Sequence, residues 1–218
     1  MRVLLTAFEP YDQWTTNSSW LALVAMLKDL PSDFPDEFSS GGSLVTRRYP
    51  VDLPALQEKL KQDLQRDFDV VLHLGQSPGA SSIKLEAIAV NVAGCLDERG
   101  AELDEIVPGG PVGYRSNLPL GRWATLLRAN HIPSVISYHA GTFLCNAIMY
   151  LSHHELQLRA KKRKPTCKVG FVHLPLTTEQ VASHGQSLPS LPLSTLARSV
   201  RLLVEDLQRL NEKAEHVA

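Results

Sequence analysis

Cys145 is the residue of this sequence best placed for nucleophilic chemistry. It follows a small-residue turn at 140–142 and stands at the start of an apolar-periodic run, in the stretch HAGTFLCNAIMYLSHH, 139–154. Unpaired N–H groups and the dipole at a helix N-terminus favour an anion, so they would stabilise a thiolate and a developing oxyanion. A buried, inert cysteine is the competing interpretation, and residue type and position alone leave both open. Cys95 and Cys167 lack this context, and we predict structural roles for both.

A nucleophilic thiol needs a base, and His173 is the best candidate. It stands near the end of the apolar stretch CKVGFVHLP, 167–175, and catalytic side chains of α/β proteins gather at the carboxyl ends of strands. Taken alone, His173 is better explained by packing than by catalysis, and only Cys145 makes it the predicted base. The other seven histidines stand in less suitable places, such as a buried strand, helix ends, later helical turns or loops: His73, His131, His139, His153, His154, His184 and His216.

Glu86 is an acid inside an otherwise apolar stretch, SIKLEAIAVNVA, 82–93. A buried lone carboxylate is costly, so it should have a partner, and a carboxylate commonly orients a catalytic histidine. The alternative is a surface residue on the outer face of an edge strand. Periodicity leaves the choice open, because Lys84 and Glu86 share a face.

Stretches that favour strands alternate with helical periodicities along most of the chain. The predicted strands are 2–8, 43–51, 69–75, 82–93, 133–138 and 167–175, and the predicted helices are 17–30, 52–68, 120–131, one that begins near Cys145, and 193–213. This alternation predicts an α/β fold, a three-layer α/β/α sandwich with a mostly parallel, twisted central sheet. The loops that follow the strands should form the site: 7–11, 75–79, 93–118, 139–145 and 173–176.

Composition excludes several classes of protein. The 218 residues suit one domain, 1–218, and 44% hydrophobic with 21% charged residues is ordinary globular usage. A net charge of −1 gives no sign of a nucleic-acid partner. No apolar run is long enough for a bilayer or a signal sequence, so we expect no membrane partner and a cytoplasmic location. Three cysteines without a CxxC pair argue against a disulfide framework and a zinc site, and we expect no metal.

Four stretches, in order along the chain, carry a resemblance to a known family. They are LLTAFEPYDQWTTNSS, HLGQSPGASSIKLEAIAVNV, YHAGTFLCNAIMY and GFVHLPLTTEQ. They resemble, respectively, the opening Phe-Glu/Asp-Pro turn, the Gly-Gln loop with a Glu-containing strand, the nucleophile turn and the catalytic-His strand of pyroglutamyl peptidase I. This family, also called pyrrolidone-carboxylate peptidase, consists of cysteine peptidases.

The resemblance implies a catalytic triad of Cys145, His173 and Glu86. It implies removal of an N-terminal pyroglutamyl residue from peptides by acyl transfer, without a metal or organic cofactor. His173 would take the thiol proton, Cys145 would attack the acyl carbonyl, and His173 would protonate the leaving amine. Bacterial members of the family are often dimers or tetramers, so the resemblance makes a homo-oligomer possible for this chain.

The family lines its pyroglutamyl slot with aromatic residues. By motif these are Phe8, Tyr11 and Phe143, although Phe8 is also explained as a core aromatic at a strand end. Asn17 and the Gln76 loop are the predicted polar partners of the lactam, whose N–H and C=O need hydrogen bonds in a mostly apolar slot.

Two loops depart from the family pattern. Residues 11–13 are YDQ where the family usually has Phe-Gly-Gly, and 94–99 place Leu96 near an expected arginine, which Arg99 could replace. These changes keep an alternative open: a weakened homologue that binds pyroglutamate or a related lactam without efficient turnover. A third hypothesis, a redox or metal-binding protein using Cys145 and His173, is disfavoured by the lack of CxxC.

Overall fold

A computed structural model describes residues 1–28, 43–94, 104–160 and 167–215, with the side chains described up to 210. Cys95, Leu96, Arg99 and His216 lie outside the described residues. The predictions that concern them therefore stay predictions.

Six helices and ten strands occupy the described part of the chain. The helices are α1 Ser18–Lys28, α2 Leu53–Asp63, α3 Leu120–Ala129, α4 Leu144–Ala160, α5 Thr178–His184 and α6 Leu193–Glu215. The strands are β1 Arg2–Phe8, β2 Ser43–Tyr49, β3 Val70–Gln76, β4 Ile83–Glu86, β5 Ile88–Val90, β6 Gly113–Arg115, β7 Ser134–Ser137, β8 Lys168–Leu174, β9 Leu176–Thr177 and β10 Ser190–Leu191. No helix in these ranges combines the length and the apolar character needed to cross a membrane.

A six-stranded sheet forms the centre of the fold, in the order β2-β1-β3-β8-β4-β7. Neighbouring strands are parallel except at one place, where β4 runs antiparallel to β8. β4 and β7 therefore run opposite to the other four strands. The prediction of a mostly parallel central sheet is confirmed.

Helices cover both faces of this sheet. One apolar core joins alternate residues of the strands to α1, α3 and α6, and a second core joins the other face to α2 and α4. β3 is buried along its whole length because both of its faces are covered. The predicted α/β/α sandwich is thus the observed architecture.

The prediction of one strand over 82–93 is wrong. The stretch divides at Ala87: β4 belongs to the central sheet, whereas β5 pairs with β6 in a separate two-stranded sheet. The prediction also missed three short strands and α5, because elements of two to seven residues carry too little periodicity to be seen.

Candidate active site

The nucleophile turn places Cys145 in the first turn of α4. Gly141 makes the turn with a φ of +82°, a backbone conformation that side chains disfavour. The amide of Ala147 donates to the carbonyl of Phe143 at 3.0 Å and opens the hydrogen-bond ladder of the helix. The N–H groups of Leu144 and Cys145 stand ahead of this first bond, so they remain able to donate to an anion.

The structure brings Cys145, His173 and Glu86 together. His173 Nδ1 donates to Glu86 Oε1 at 2.8 Å. This bond leaves Nε2 free to face Cys145, which lines the same cavity as His173 and contributes to the raised pKa of the ring. The chain therefore presents a thiol, an imidazole and a carboxylate in series, which is the order that a nucleophile, its base and an orienting group require.

Burial and charge compete at His173, which is 8% exposed. Burial by itself would lower its pKa, but the Cys145 thiolate and the Glu86 carboxylate outweigh burial and raise the pKa to about 9. The ring is therefore protonated at neutral pH. In that form it can pair with a thiolate and hand a proton to a leaving amine.

Glu86 is fully buried, so the alternative of a surface position is wrong. β4 lies between β8 and β7 rather than at the edge of the sheet, and α4 covers the face from which Glu86 projects. Within the described part of the chain, Oε1 bonds His173 whereas Oε2 has no hydrogen-bond partner. The rule that active-site groups follow the carboxyl ends of parallel strands could not place Glu86. β4 runs antiparallel to β8, so Glu86, its last residue, pairs with Phe171 within β8 and does not follow the end of that strand.

A cavity of about 350 Å³ opens at the three residues. All five predicted substrate-binding residues line it: Phe8, Tyr11, Asn17, Gln76 and Phe143. Phe8 is almost completely buried and also belongs to the core, whereas Phe143 is 44% exposed at the cavity. Val51 and Leu144 add apolar lining that the sequence did not single out.

The two predicted lactam partners differ in what their amides already bind. Asn17 Oδ1 accepts from the amide and the hydroxyl of Ser19, and its Nδ2 donates to the carbonyl of Glu9 at 3.0 Å. Asn17 therefore caps α1 as well as lining the cavity. Gln76 Oε1 accepts from the Ser18 amide at 2.7 Å, but its buried Nε2 has no partner among the described residues. Gln76 thus keeps a donor for a ligand carbonyl.

Three residues that the sequence did not single out shape this site. A Cβ at Gly75 would lie 2.5 Å from the Phe171 ring and 3.0 Å from Cys145 Sγ, so only glycine allows this packing. Asn146, fully buried, bonds the backbone of β5 and Val92 and ties α4 to that segment. Gln180 donates to Gln76 Oε1 at 2.8 Å. The capping-box spacing from Thr177 to Gln180 was the available signal for α5.

The remaining histidines and Cys167 have other surroundings. His73 is fully buried, with Thr6 and Ser152 hydroxyls at its two ring nitrogens, which confirms the prediction of a satisfied core residue. Burial lowers its pKa to about 3. Burial raises the pKa of Cys167 to about 12, so this thiol is unreactive.

His139 lines the cavity, and its Nδ1 accepts from the Gly141 amide. Among the described residues, no group of three or more His, Cys, Asp and Glu could hold a metal.

Comparison with known proteins agrees with this geometry. A family profile described as pyroglutamyl peptidase matches residues 1–209. The pyrrolidone-carboxylate peptidase of Clavibacter michiganensis is 35% identical over 207 residues, which cover 93% of this chain and 90% of that protein. This chain belongs to the pyroglutamyl peptidase family. The resemblance inferred from the four sequence motifs is confirmed.

Solved structures of the same family share the fold. The pyrrolidone carboxyl peptidase of Fervidobacterium islandicum superposes with a TM-score of 0.81 at 32% identity, covering 96% of this chain and 99% of that one. For the Pyrococcus furiosus enzyme the TM-score is 0.79 at 32% identity, with 96% and 100% coverage. The whole described sandwich is therefore the architecture of pyroglutamyl peptidases.

The altered loop at 11–13 of this chain still places an aromatic ring, that of Tyr11, in the cavity. The Tyr11 hydroxyl donates to the Gln76 carbonyl at 3.5 Å. Burial, reinforced by the nearby Cys145 thiolate, raises the pKa of Tyr11 to about 12, so the hydroxyl stays protonated. Asp12 adopts a φ of +52°, a conformation that Asp tolerates better than most residues and that suits the glycine of the family pattern.

Proposed function

We propose that this protein removes an N-terminal pyroglutamyl residue from peptides by thiol acyl transfer, with Cys145 as nucleophile, His173 as base and acid, and Glu86 as the orienting carboxylate. The observation that carries the proposal is the series from Cys145 through His173 to Glu86, with its 2.8 Å hydrogen bond, at the wall of the cavity. Family membership supports the same reaction and the same class of substrate.

The proposed reaction has two stages. His173 already holds the thiol proton in a thiolate–imidazolium pair, Cys145 Sγ bonds the acyl carbon of the pyroglutamyl residue, and the N–H groups of Leu144 and Cys145 hold the oxyanion. His173 then gives its proton to the leaving amine as the C–N bond breaks. Water activated by His173 cleaves the thioester, which releases pyroglutamate and restores the thiol.

The cavity suits a small neutral ring. Phe8, Tyr11 and Phe143 supply aromatic surface, and Gln76 Nε2 supplies a donor for the lactam carbonyl. A mostly apolar slot with few directed hydrogen bonds favours a neutral lactam over a charged glutamate or a free amino terminus.

Hydrolysis of a fluorogenic pyroglutamyl amide tests the proposal. We expect release of the fluorophore by the purified protein, no release from the matching prolyl amide, and a loss of at least about 10³-fold in Cys145→Ala. Iodoacetamide should abolish the activity by alkylating Cys145.

Cys167→Ser is the matched control, because Cys167 is a half-buried thiol outside the cavity, and it should keep full activity. Equal activity in Cys145→Ala and the unmodified protein would overturn the mechanism. Binding of pyroglutamate without turnover would instead favour the weakened homologue.

We also propose a cytoplasmic location and a homo-oligomer. A reducing compartment keeps thiols free, and the described cysteines Cys145 and Cys167 are in no disulfide. β7 ends one side of the sheet and leaves Val135 and Tyr138 exposed, a surface that a second copy could cover. Light scattering after size-exclusion chromatography measures the mass of the assembly and so tests the homo-oligomer. Cell fractionation tests the cytoplasmic location.

A further inference from the structure

Lys84 places a positive charge beside the proposed base. It precedes Glu86 by two residues in β4, so both side chains project from one face of the sheet. In the antiparallel pair of β4 and β8, Lys84 is directly opposite His173. Side chains at such positions are neighbours on the same face, and both residues line the cavity.

Among the residues that the structure describes, no carboxylate neutralises the charge of Lys84. Among the described residues that line the cavity, Lys84 is the single lysine or arginine. Glu86, the nearest acid in sequence, directs Oε1 to His173 and forms no ion pair with Lys84, and no other described carboxylate does so either. A half-buried ammonium group at a cavity wall is therefore available to a negatively charged ligand group.

The position of His173 determines which part of the bound substrate lies near Lys84. In the proposed reaction His173 protonates the leaving amine, so the nitrogen of the second residue must lie at the ring. The α-carboxylate of that residue is two bonds from its nitrogen, and an Asp or Glu side chain extends a few bonds further. A lysine directly across the strand pair from His173 reaches this part of the substrate.

We propose that Lys84 is a specificity-determining residue that binds a carboxylate on the residue following pyroglutamate. The carboxylate is either the C-terminus of a dipeptide or an acidic side chain. This inference rests on the proposed function, because it assigns a substrate preference to that reaction. A carboxylate beside buried Glu86 would be repelled without a cation, so the preference depends on Lys84.

Two matched substrate pairs test the proposal. One pair is pyroglutamyl-alanine and pyroglutamyl-alaninamide, and the other is the α-amides of pyroglutamyl-aspartate and pyroglutamyl-asparagine. We expect the charged member of at least one pair to have the higher kcat/KM, by about tenfold, as one charge-assisted hydrogen bond provides. An advantage confined to the first pair assigns the C-terminal carboxylate, and one confined to the second assigns the side chain.

Variants locate the preference. Lys84→Gln and Lys84→Met should both lower the charged-to-neutral ratio about tenfold, and Lys84→Arg should retain it. Lys168→Gln removes an exposed lysine at the far end of β8 and should leave the ratio and the activity unchanged. In the unmodified protein, raising the salt concentration should shrink the ratio, because ions screen a partly exposed pair.

Two results would overturn the role of Lys84: no advantage for either charged substrate, or equal losses on both members of a pair. In either case hydrolysis of the neutral amides would leave the proposed function standing. Failure to hydrolyse any of the four would overturn the proposed function instead, and the preference with it.

Discussion

The buried Glu86 carboxylate controls two properties of the neighbouring His173: which ring nitrogen carries the proton, and the pKa of the ring. Because Oε1 accepts from His173 Nδ1, the proton stays on that nitrogen and Nε2 faces the thiol with its lone pair or its own proton. The carboxylate also stabilises the charged ring, and it contributes to the raised pKa of His173. Glu86 therefore has two separate effects: it orients the His173 ring, and its charge raises the pKa of that ring. The pH profile of the activity measures the effect of the charge.

Glu86→Gln should lower kcat/KM by about 10²–10⁴-fold and move its alkaline limb. With Glu86, the charged ring persists until the pH rises through about 9, so activity falls above that pH. Without the carboxylate the pKa of His173 falls, so the loss begins at lower pH. Kinetics on a pyroglutamyl amide between pH 5 and 10 check both effects.

Glu179→Gln is the control for this substitution. It removes an exposed carboxylate on α5, outside the cavity, and should leave the rate and the profile unchanged. An alkaline limb at the same pH in Glu86→Gln and in the unmodified protein would contradict the electrostatic role.

Gly75→Ala should damage the site through packing. The new Cβ would be 2.5 Å from the Phe171 ring and 3.0 Å from Cys145 Sγ, so ring and thiol must move. We expect kcat/KM to fall by about 10–10²-fold, since small misplacements of reacting atoms are costly, and stability to fall by about 1–3 kcal/mol. Activity assays and urea unfolding give the two values.

Gly121→Ala is the matched control for Gly75→Ala. It adds the same methyl group in α3, where nothing lies within 4 Å of the new atom. It should keep full activity and gain about 0.5–1 kcal/mol of stability, because alanine is the better helix former. If Gly75→Ala is as active as this control, the position of the Cys145 thiol does not depend on a glycine at residue 75.

At the scale of elements, the sequence predicted the strands and helices that are long enough to show a clear hydrophobic periodicity. β1, β3, β8, α4 and α6 run close to their predicted bounds, because seven or more residues show clear burial patterns. Asp52 caps α2, and its side chain accepts from the Ala55 amide at 2.9 Å. The division of 82–93 was invisible, because β4 and β5 are both apolar and only pairing with different partners separates them.

Asp206 ties α6 to α3 through a buried carboxylate. It is 1% exposed, accepts three hydrogen bonds from the Arg122 guanidinium and accepts one from the Trp123 indole N–H at 3.2 Å. Asp206→Ala leaves the fully buried Trp123 N–H without its acceptor, and we expect stability to fall by about 2 kcal/mol. Urea unfolding measures the loss.

Glu205→Ala supplies the comparison on the same helix. Glu205 is 28% exposed, and its two arginine partners are both 3.6 Å away. Exposed pairs of this kind contribute little, so the change should stay within about 0.5 kcal/mol. Equal losses in the two variants would show that burial of Asp206 adds nothing.

At the scale of the whole molecule, the cavity is assembled from segments far apart in the chain. Residue types and strand ends were enough to select Cys145 and His173, and the family resemblance was needed for Glu86. Neither could show that Lys84 lies opposite His173, which follows from pairing of β4 with β8, or that Gly75 packs under the thiol, which follows from the packing of α4 on β3. Pairing partners are set by the tertiary fold, which no local pattern encodes.

The acid stability of the whole fold should depend on His153. This ring stacks on Tyr114 with centroids 5.6 Å apart, and within the described chain its buried Nε2 has no hydrogen-bond partner. Burial lowers its pKa to about 4, against 6.5 for an ordinary histidine. Between these values the unfolded chain binds a proton that the folded chain does not, so stability falls as the pH drops from 6.5 towards 4.

His153→Phe removes this proton uptake and the unpartnered nitrogen while keeping an aromatic ring. We expect its stability gain over the unmodified protein to be larger at pH 5 than at pH 7 by about 1–2 kcal/mol. His131→Asn is the control, because it removes an exposed histidine whose φ of +60° asparagine accepts, and it should leave the pH slope unchanged. Urea unfolding at the two pH values decides: if His153→Phe loses as much stability on acidification as the unmodified protein, His153 does not contribute to the slope.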